Sequence, residues 1–177
     1  MPGLIYQLLV EDHRRMEGLL TLAAADTGTC GAGAYEEFRS VLLRHIGMED
    51  KILIPSARRA RGGERLPMAD RIRLDHGALA ALLVPPPAPE IIVCIKAILS
   101  GHNLLEEGED GLYEICERLA SDEFGVILEK LRNYPCPRLK PHVSSPVVLD
   151  AARRALARAG YEWDELVSHP TIKNPVA

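Results

Sequence analysis

The sequence predicts an all-α protein, a four-helix up-and-down bundle with a helical appendage at its C-terminal end. Three observations predict it. In four long segments apolar residues recur at steps of three and four, the period of a helix with one buried face. Aromatic residues make up only 5% of the chain while Leu and Ala abound, a balance that favours helices over sheets. Eight of the 13 prolines fall in two clusters, Pro85 to Pro89 and Pro135 to Pro146, which leaves long stretches free of helix breakers.

The first expected helix covers residues 2–25, with Ile5, Leu8, Leu9, Met16, Leu19 and Leu20 on its stripe, and the TGTCGAG stretch ends it. The second covers residues 35–61 with Phe38, Val41, Leu42 and Ile52, and RGGERLP follows it. The third covers residues 67–83, with Ile72, Leu79 and Leu83. The fourth and longest covers residues 90–120, carrying Ile91, Ile95, Ile98, Leu99, Leu112 and Leu119, and a short fifth helix is expected at residues 122–133. Residues 1–133 therefore read as the bundle, and residues 134–177 as a proline-rich linker and a short helical tail. In that tail VVLDAARRALARAG has a weak stripe of Val148, Ala152, Ala155, Leu156 and Ala159. Tyr161 and Trp163 are the tail's anchors, either on the bundle or on a second copy in a homodimer, and the sequence leaves both open.

Composition narrows the function. With 47% hydrophobic and 26% charged residues the chain is an ordinary globular one, and its 177 residues suit one domain with an appendage. No apolar run approaches the ~20 residues of a membrane span. Glu11 and Asp12 interrupt the first apolar segment, so no export signal is visible and a cytoplasmic, membrane-free protein is expected. A net charge of -4 argues against a nucleic-acid partner held by phosphate neutralisation. The four cysteines form no CxxC pair and are expected to be reduced, with Cys94 and Cys116 in the core and Cys30 and Cys136 in loops.

Each of the four main helices has a histidine where its stripe calls for an apolar residue: His13, His45, His76 and His102. Two of these helices add a glutamate four residues on, Glu49 and Glu106, on the same face as the histidine and about one turn along. The pattern is duplicated. DHRRMEGLL echoes DHGALAALL, and HIGMED echoes HNLLEE. Burying one unpartnered polar group costs roughly 1–3 kcal/mol, and six would cost on the order of 10 kcal/mol, comparable to the whole stability of a domain. The six must therefore satisfy one another or bind something, and two equivalent sets suit two metals. Imidazole and carboxylate without thiolate fit iron or manganese and can also hold zinc or copper. Each glutamate has two oxygens with which to bridge a metal pair. Each metal would then take two histidines and one oxygen from each glutamate. A bridging oxide or hydroxide would make five donors and leave one position open.

These residues resemble the hemerythrin-like, or HHE cation-binding, family of non-haem di-iron bundles. HIGMEDKILIP is similar to that family's second-helix signature and HNLLEE to its fourth-helix counterpart, and the likeness covers about residues 1–133. The resemblance implies His13, His45, His76 and His102 as terminal ligands and Glu49 and Glu106 as bridges. It implies two iron ions per chain, oxo- or hydroxo-bridged, with manganese or zinc as substitutes. Oxygen-carrying members have a fifth histidine one turn from the third-helix ligand, where this chain has Ile72 and Ala80. The four-histidine, two-glutamate set resembles instead the branch of iron–sulfur repair proteins and iron or oxygen sensors. The expected role is binding or reducing a small gaseous or peroxide ligand (oxygen, nitric oxide or hydrogen peroxide) in sensing or detoxification. A catalase-like or repair activity, and a metal-stabilised interaction module, are the alternatives.

Around these six stand residues with simpler expected roles. Tyr6 and Tyr113 face the same interior, as packing or as hydrogen-bonding partners of the ligands. Asp12 and Asp75, beside their histidines, are turned ~100° off the ligand face and read most simply as solvated acids, with orienting a neighbouring helix's imidazole through its free N–H as the alternative. Asp50 and Glu107, beside the glutamates, are turned equally far off that face and are expected to matter much less than the glutamates. Gly47, Gly77 and Gly101 lie within two residues of the ligands, with close packing and chance equally good accounts. His142 and His169, in the tail, are not expected to ligate, and Arg58, Arg59, Arg61 and Arg65 read as a solvated loop.

Overall fold

A computed structural model describes residues 3–25, 32–119 and 123–169. Every regular element among them is helical: α1 (Leu4–Ala25), α2 (Ala32–Met48), a π-helical turn (Glu49–Leu53), α3 (Ile54–Ala60), α4 (Ala69–Leu82), α5 (Pro89–Glu107), α6 (Leu112–Leu119), α7 (Phe124–Arg132), α8 (Pro146–Arg158) and α9 (Trp163–Ser168). The bundle is formed by α1, by α2 with its continuation through α3, by α4 and by α5. The long axis of α1 lies against α2 and α5, and α4 lies against α5. None of these helices is long and apolar enough to cross a membrane. Cys30 lies outside the described residues. Cys94 and Cys116 are buried and Cys136 is exposed, all three as free thiols.

Local chemistry sets the ends of these helices. The Glu117 carboxylate accepts from the first-turn N–H groups of Gly3, Ile5 and Tyr6 at 2.9, 2.8 and 3.0 Å, which closes the start of α1 with a side chain from α6. Pro89 and Pro146 open α5 and α8, where a missing N–H costs nothing. Pro55 has no N–H for the Lys51 carbonyl and its ring would crowd it, so the helix widens just before it. The Ile54 N–H bonds back to the Glu49 carbonyl, and the π turn results.

The fourth expected helix, residues 90–120, is broken in the structure. The α5 helix stops at Glu107, a tight turn follows, and α6 begins at Leu112. Asp110 takes a left-handed conformation (φ 56°). A side chain at Gly111 would stand 2.6 Å from the Glu106 carbonyl, so only glycine lets the chain fold back this closely. Apolar periodicity runs through the turn because both helices bury a face in the same core.

Two apolar clusters fill the interior. One contains Met16, Leu20, Phe38, Leu42, Leu79, Leu82, Ile95 and Ile98. The other contains Ile5, Leu9, Met48, Leu53, Ile72, Leu112, Tyr113 and Leu131. Along α1 the change from one to the other falls between Val10 and Met16, and along α4 between Ile72 and Ala78. The histidines of these helices lie in those gaps.

The tail packs on its own bundle. Ala152, Leu156, Ala159, Tyr161 and Leu166 belong to the first cluster, with α8 on α4 and α9 on α5. Arg71 donates to the Ala159 carbonyl at 2.6 Å and lies over the Tyr161 ring. His142 sits against Glu36 at 2.7 Å and stacks on Tyr35, away from the other histidines. Leu156 is fully buried, so Leu156→Ala should cost roughly 2–5 kcal/mol of unfolding free energy in denaturant titrations. A loss under ~0.5 kcal/mol, the ordinary effect of a surface substitution, would show that the tail does not share the core.

Candidate metal centre

The four stripe histidines and two glutamates of the sequence meet in one place, between the two apolar clusters. His13 comes from α1, His45 from α2, Glu49 from the first residue of the π turn, His76 from α4, and His102 and Glu106 from α5. None is more than 5% exposed. Their donor atoms form two sets. In the first, His13 Nε2 is 2.9 Å from His45 Nε2 and 3.3 Å from Glu106 Oε2, while His45 Nε2 is 3.3 Å from Glu49 Oε1. In the second, His76 Nε2 is 3.2 Å from Glu49 Oε2 and His102 Nε2 is 3.0 Å from Glu106 Oε1. Each glutamate thus faces each set with one oxygen, and Glu49, His76, His102 and Glu106, and likewise His13, His45 and Glu106, are close enough together to hold a metal ion.

The outer nitrogens of the imidazoles carry the main correction to the sequence reading. Each faces an acid. Glu107 lies 2.5 Å from His13 Nδ1, Asp12 3.5 Å from His45 Nδ1, Asp50 3.2 Å from His76 Nδ1 and Asp75 3.5 Å from His102 Nδ1. From the sequence, solvent is the simpler expectation for Asp12 and Asp75, with orienting a neighbouring imidazole as the alternative, and Asp50 and Glu107 are only placed ~100° off the ligand face. In a bundle that direction points at the neighbouring helix, and there each acid finds an imidazole. Asp75 is only 1% exposed and is held by Arg71 at 2.5 Å. An acid at Nδ1 favours the proton there and leaves the Nε2 lone pair directed at the centre.

Tyr113 is the second correction. Packing was the simpler expectation, but its fully buried hydroxyl lies 2.7 Å from Glu49 Oε1, to which it donates, and 3.0 Å from Glu106 Oε2. It also lies 3.1 Å from both His13 Nε2 and His45 Nε2. It arrives from α6, after the turn, and not from an extension of α5. Tyr6 packs edge-on against its ring, with ring centroids 6.0 Å apart, and donates to the Glu107 carbonyl. Gly47 is a true close approach, since a side chain there would meet the Tyr134 hydroxyl at 2.6 Å, whereas Gly77 has open space beside it.

Electrostatics and unpaired atoms test whether these residues fit a metal. Burial alone would push the imidazoles to their neutral form, but the carboxylates outweigh it. Glu49 and Asp12 hold His45 up to about 9, Asp50 and Glu49 hold His76 up to about 9, and Glu106 and Asp75 hold His102 up to about 10. His13 is raised despite its burial, chiefly by Glu106 and Glu107. Burial likewise opposes ionising the glutamates, and the imidazoles overcome it, lowering Glu49 and Glu106. The acid-rich interior is therefore a strong trap for positive charge. Protons fill it incompletely: Glu49 Oε2, Glu106 Oε1 and His76 Nε2 are buried without a hydrogen-bond partner. Borderline nitrogen donors mixed with hard oxygens fit divalent first-row metals.

The fold and the site together define a helical-bundle protein with a histidine and carboxylate site for metal cations. The family model of the Hemerythrin HHE cation binding domain matches residues 4–85, just under half of the chain, and over that span the chain is similar to that family. The matched span contains His13, His45, Glu49 and His76, and the second half of the repeat supplies His102 and Glu106 beyond it. Comparison with curated proteins and with solved structures gives no significant match.

The metal-free protein should show a distinctive pH dependence. Raised imidazole values stabilise the fold fully below the ordinary 6.5, and that stability drains away as pH climbs through about 9 to 10. The lowered glutamates act at the other end, contributing above 4.5 and losing their contribution in acid. Thermal melts of chelator-treated protein should therefore peak near pH 5 to 6.5 and fall steadily toward pH 10. A flat profile from pH 6 to 10 would contradict this electrostatic description.

Proposed function

We propose that His13, His45, Glu49, His76, His102 and Glu106 hold two iron ions, with the glutamates as bridges, and that the protein binds or reduces oxygen, nitric oxide or hydrogen peroxide in sensing or detoxification. The observation that carries this reading is the division of each glutamate's oxygens between two sets of buried imidazole nitrogens. Bound there, iron supplies one-electron redox chemistry to a small ligand. The chain's own residues do the rest. Asp12, Asp50, Asp75 and Glu107 fix the imidazoles in the ligating tautomer and raise their basicity. Met16, Met48, Leu79 and Ile72, all nearly or fully buried, keep bulk water from the centre. A cavity of about 290 Å³ between α1 and α5, walled by Met16, Leu20, Lys96, Leu99 and Asn103, reaches His13 and is sized for a small molecule. In this reading residues 1–133 are the metal-holding unit, and α8 and α9 brace it from the α4 and α5 side.

Glu49→Ala and Glu106→Ala should each reduce iron from about two per chain to one or none, because each removes a donor from both sets. Asp50→Ala and Glu107→Ala should keep the ions at saturating iron but bind them ~10–100-fold more weakly. Elemental analysis and competition with a calibrated chelator measure both effects. Iron-replete wild-type protein with neither iron nor manganese above trace would contradict the metal assignment.

The small-ligand role is tested by reducing the iron-loaded protein without air and adding oxygen, nitric oxide or peroxide in turn. At least one should change the iron's optical spectrum within seconds. Inertness to all three would contradict a role in sensing or removing them.

A further inference from the structure

The Tyr113 hydroxyl touches four donor atoms of one set, more contacts than its chemistry as a hydroxyl supports. It has one proton to give, and Glu49 Oε1 at 2.7 Å takes it. The contact with Glu106 Oε2 at 3.0 Å then sets two oxygens side by side with no proton between them. His13 Nε2 and His45 Nε2 stand 2.9 Å apart beside it, so at most one of the two can direct a proton at the other.

The distances make sense as a coordination polyhedron. His13 Nε2, His45 Nε2 and Glu106 are close enough to one another to share one metal ion, with His13 Nε2 2.9 Å from His45 Nε2 and 3.3 Å from Glu106 Oε2. The Tyr113 oxygen lies 3.0 to 3.1 Å from a donor atom of each of the three. Metal–nitrogen and metal–oxygen bonds to these side chains are about 2.0–2.2 Å, so donors on one ion stand about 3 Å apart. The hydroxyl oxygen keeps that spacing from all three and so stands where a further donor to the same ion would stand.

We propose that Tyr113 is a fifth protein ligand, its phenolate oxygen bound to the metal held by His13 and His45. Ligation breaks the Tyr113 O–H bond and forms the oxygen–metal bond, and the proton leaves to the buffer. The second set has no counterpart among the described residues. His76 Nε2 and Glu106 Oε1 are left without a hydrogen-bond partner, and no hydroxyl stands over that pair. The two metals are consequently unlike: the one on His13 and His45 has the tyrosine as an extra protein donor, and the one on His76 and His102 does not.

This inference rests on the two-metal reading, and the experiment separates the two. Ferric protein is prepared from the wild type, Tyr113→Phe and Tyr6→Phe, its iron counted, and its visible absorption and resonance Raman spectra recorded. A phenolate on ferric iron gives an intense visible charge-transfer band with tyrosinate ring modes in Raman. The expected result is that band in the wild type and in Tyr6→Phe, and its loss in Tyr113→Phe at an unchanged fold by circular dichroism. Wild-type protein holding two irons without the band, or Tyr113→Phe retaining it, overturns the ligand assignment alone. Protein that takes up no iron overturns both readings.

Discussion

A layer of six ionisable side chains crosses the bundle between two apolar clusters, and the rest of the molecule is arranged around the cost of burying it. Four imidazoles and two carboxylates at 0–5% exposure cannot be left to themselves in a low-dielectric interior. Their neighbours deal with the problem in two directions. Outward, an acid stands at every Nδ1. Inward, the Nε2 atoms and both oxygens of each glutamate converge on two small volumes. The outward acids add negative charge to a place already holding two carboxylates. That makes sense if the layer's resting content is cationic, and metal cations would supply the balance more fully than protons, which leave several buried atoms unpaired.

The duplicated pattern also explains how the acids are wired. Asp12 serves His45 and Asp75 serves His102, within each half of the repeat, whereas Asp50 serves His76 and Glu107 serves His13, across the halves. The pairing closes a ring through all four helices, so that each helix both donates to the centre and supports a neighbour's ligand. The C-terminal segment joins this ring on both sides. Tyr161 lies under Arg71, Arg71 holds Asp75, and Asp75 faces His102. Arg44 donates to the Tyr134 carbonyl at 3.0 Å and pairs with Asp12 at 3.5 Å, and Asp12 faces His45. The segment's packing is thereby linked to one histidine of each set.

The helices and the six central residues were legible in the sequence because both depend on period alone. A histidine replacing an apolar residue in a stripe must point where the stripe points. Three features were not legible in this way. The break between Glu107 and Leu112 lies in a region where the stripe continues on both sides, and only the glycines at 108 and 111 mark it. The π turn at Glu49 follows from the clash that Pro55 would cause, a local effect that carries no signature in hydrophobic spacing. The acids' partners were not fixed by spacing because a single helix has a buried face and a solvent face, whereas a bundled helix has flanks as well. Tyr113 was placed in the interior correctly, but its hydroxyl's position depends on the turn that brings α6 back over the centre. The Asp-His and Glu-acid dipeptides, repeated in both halves, were the available signal for the flanking acids.

The central claim is that this polar layer is completed by two cations. It is tested most directly by titrating chelator-treated protein with ferrous iron in the absence of oxygen while following its unfolding temperature. Cations that bind only the folded layer stabilise it by mass action. The account predicts a steep rise in unfolding temperature that levels off at about two iron ions per chain. An unfolding temperature that does not respond to iron, manganese or zinc would contradict it.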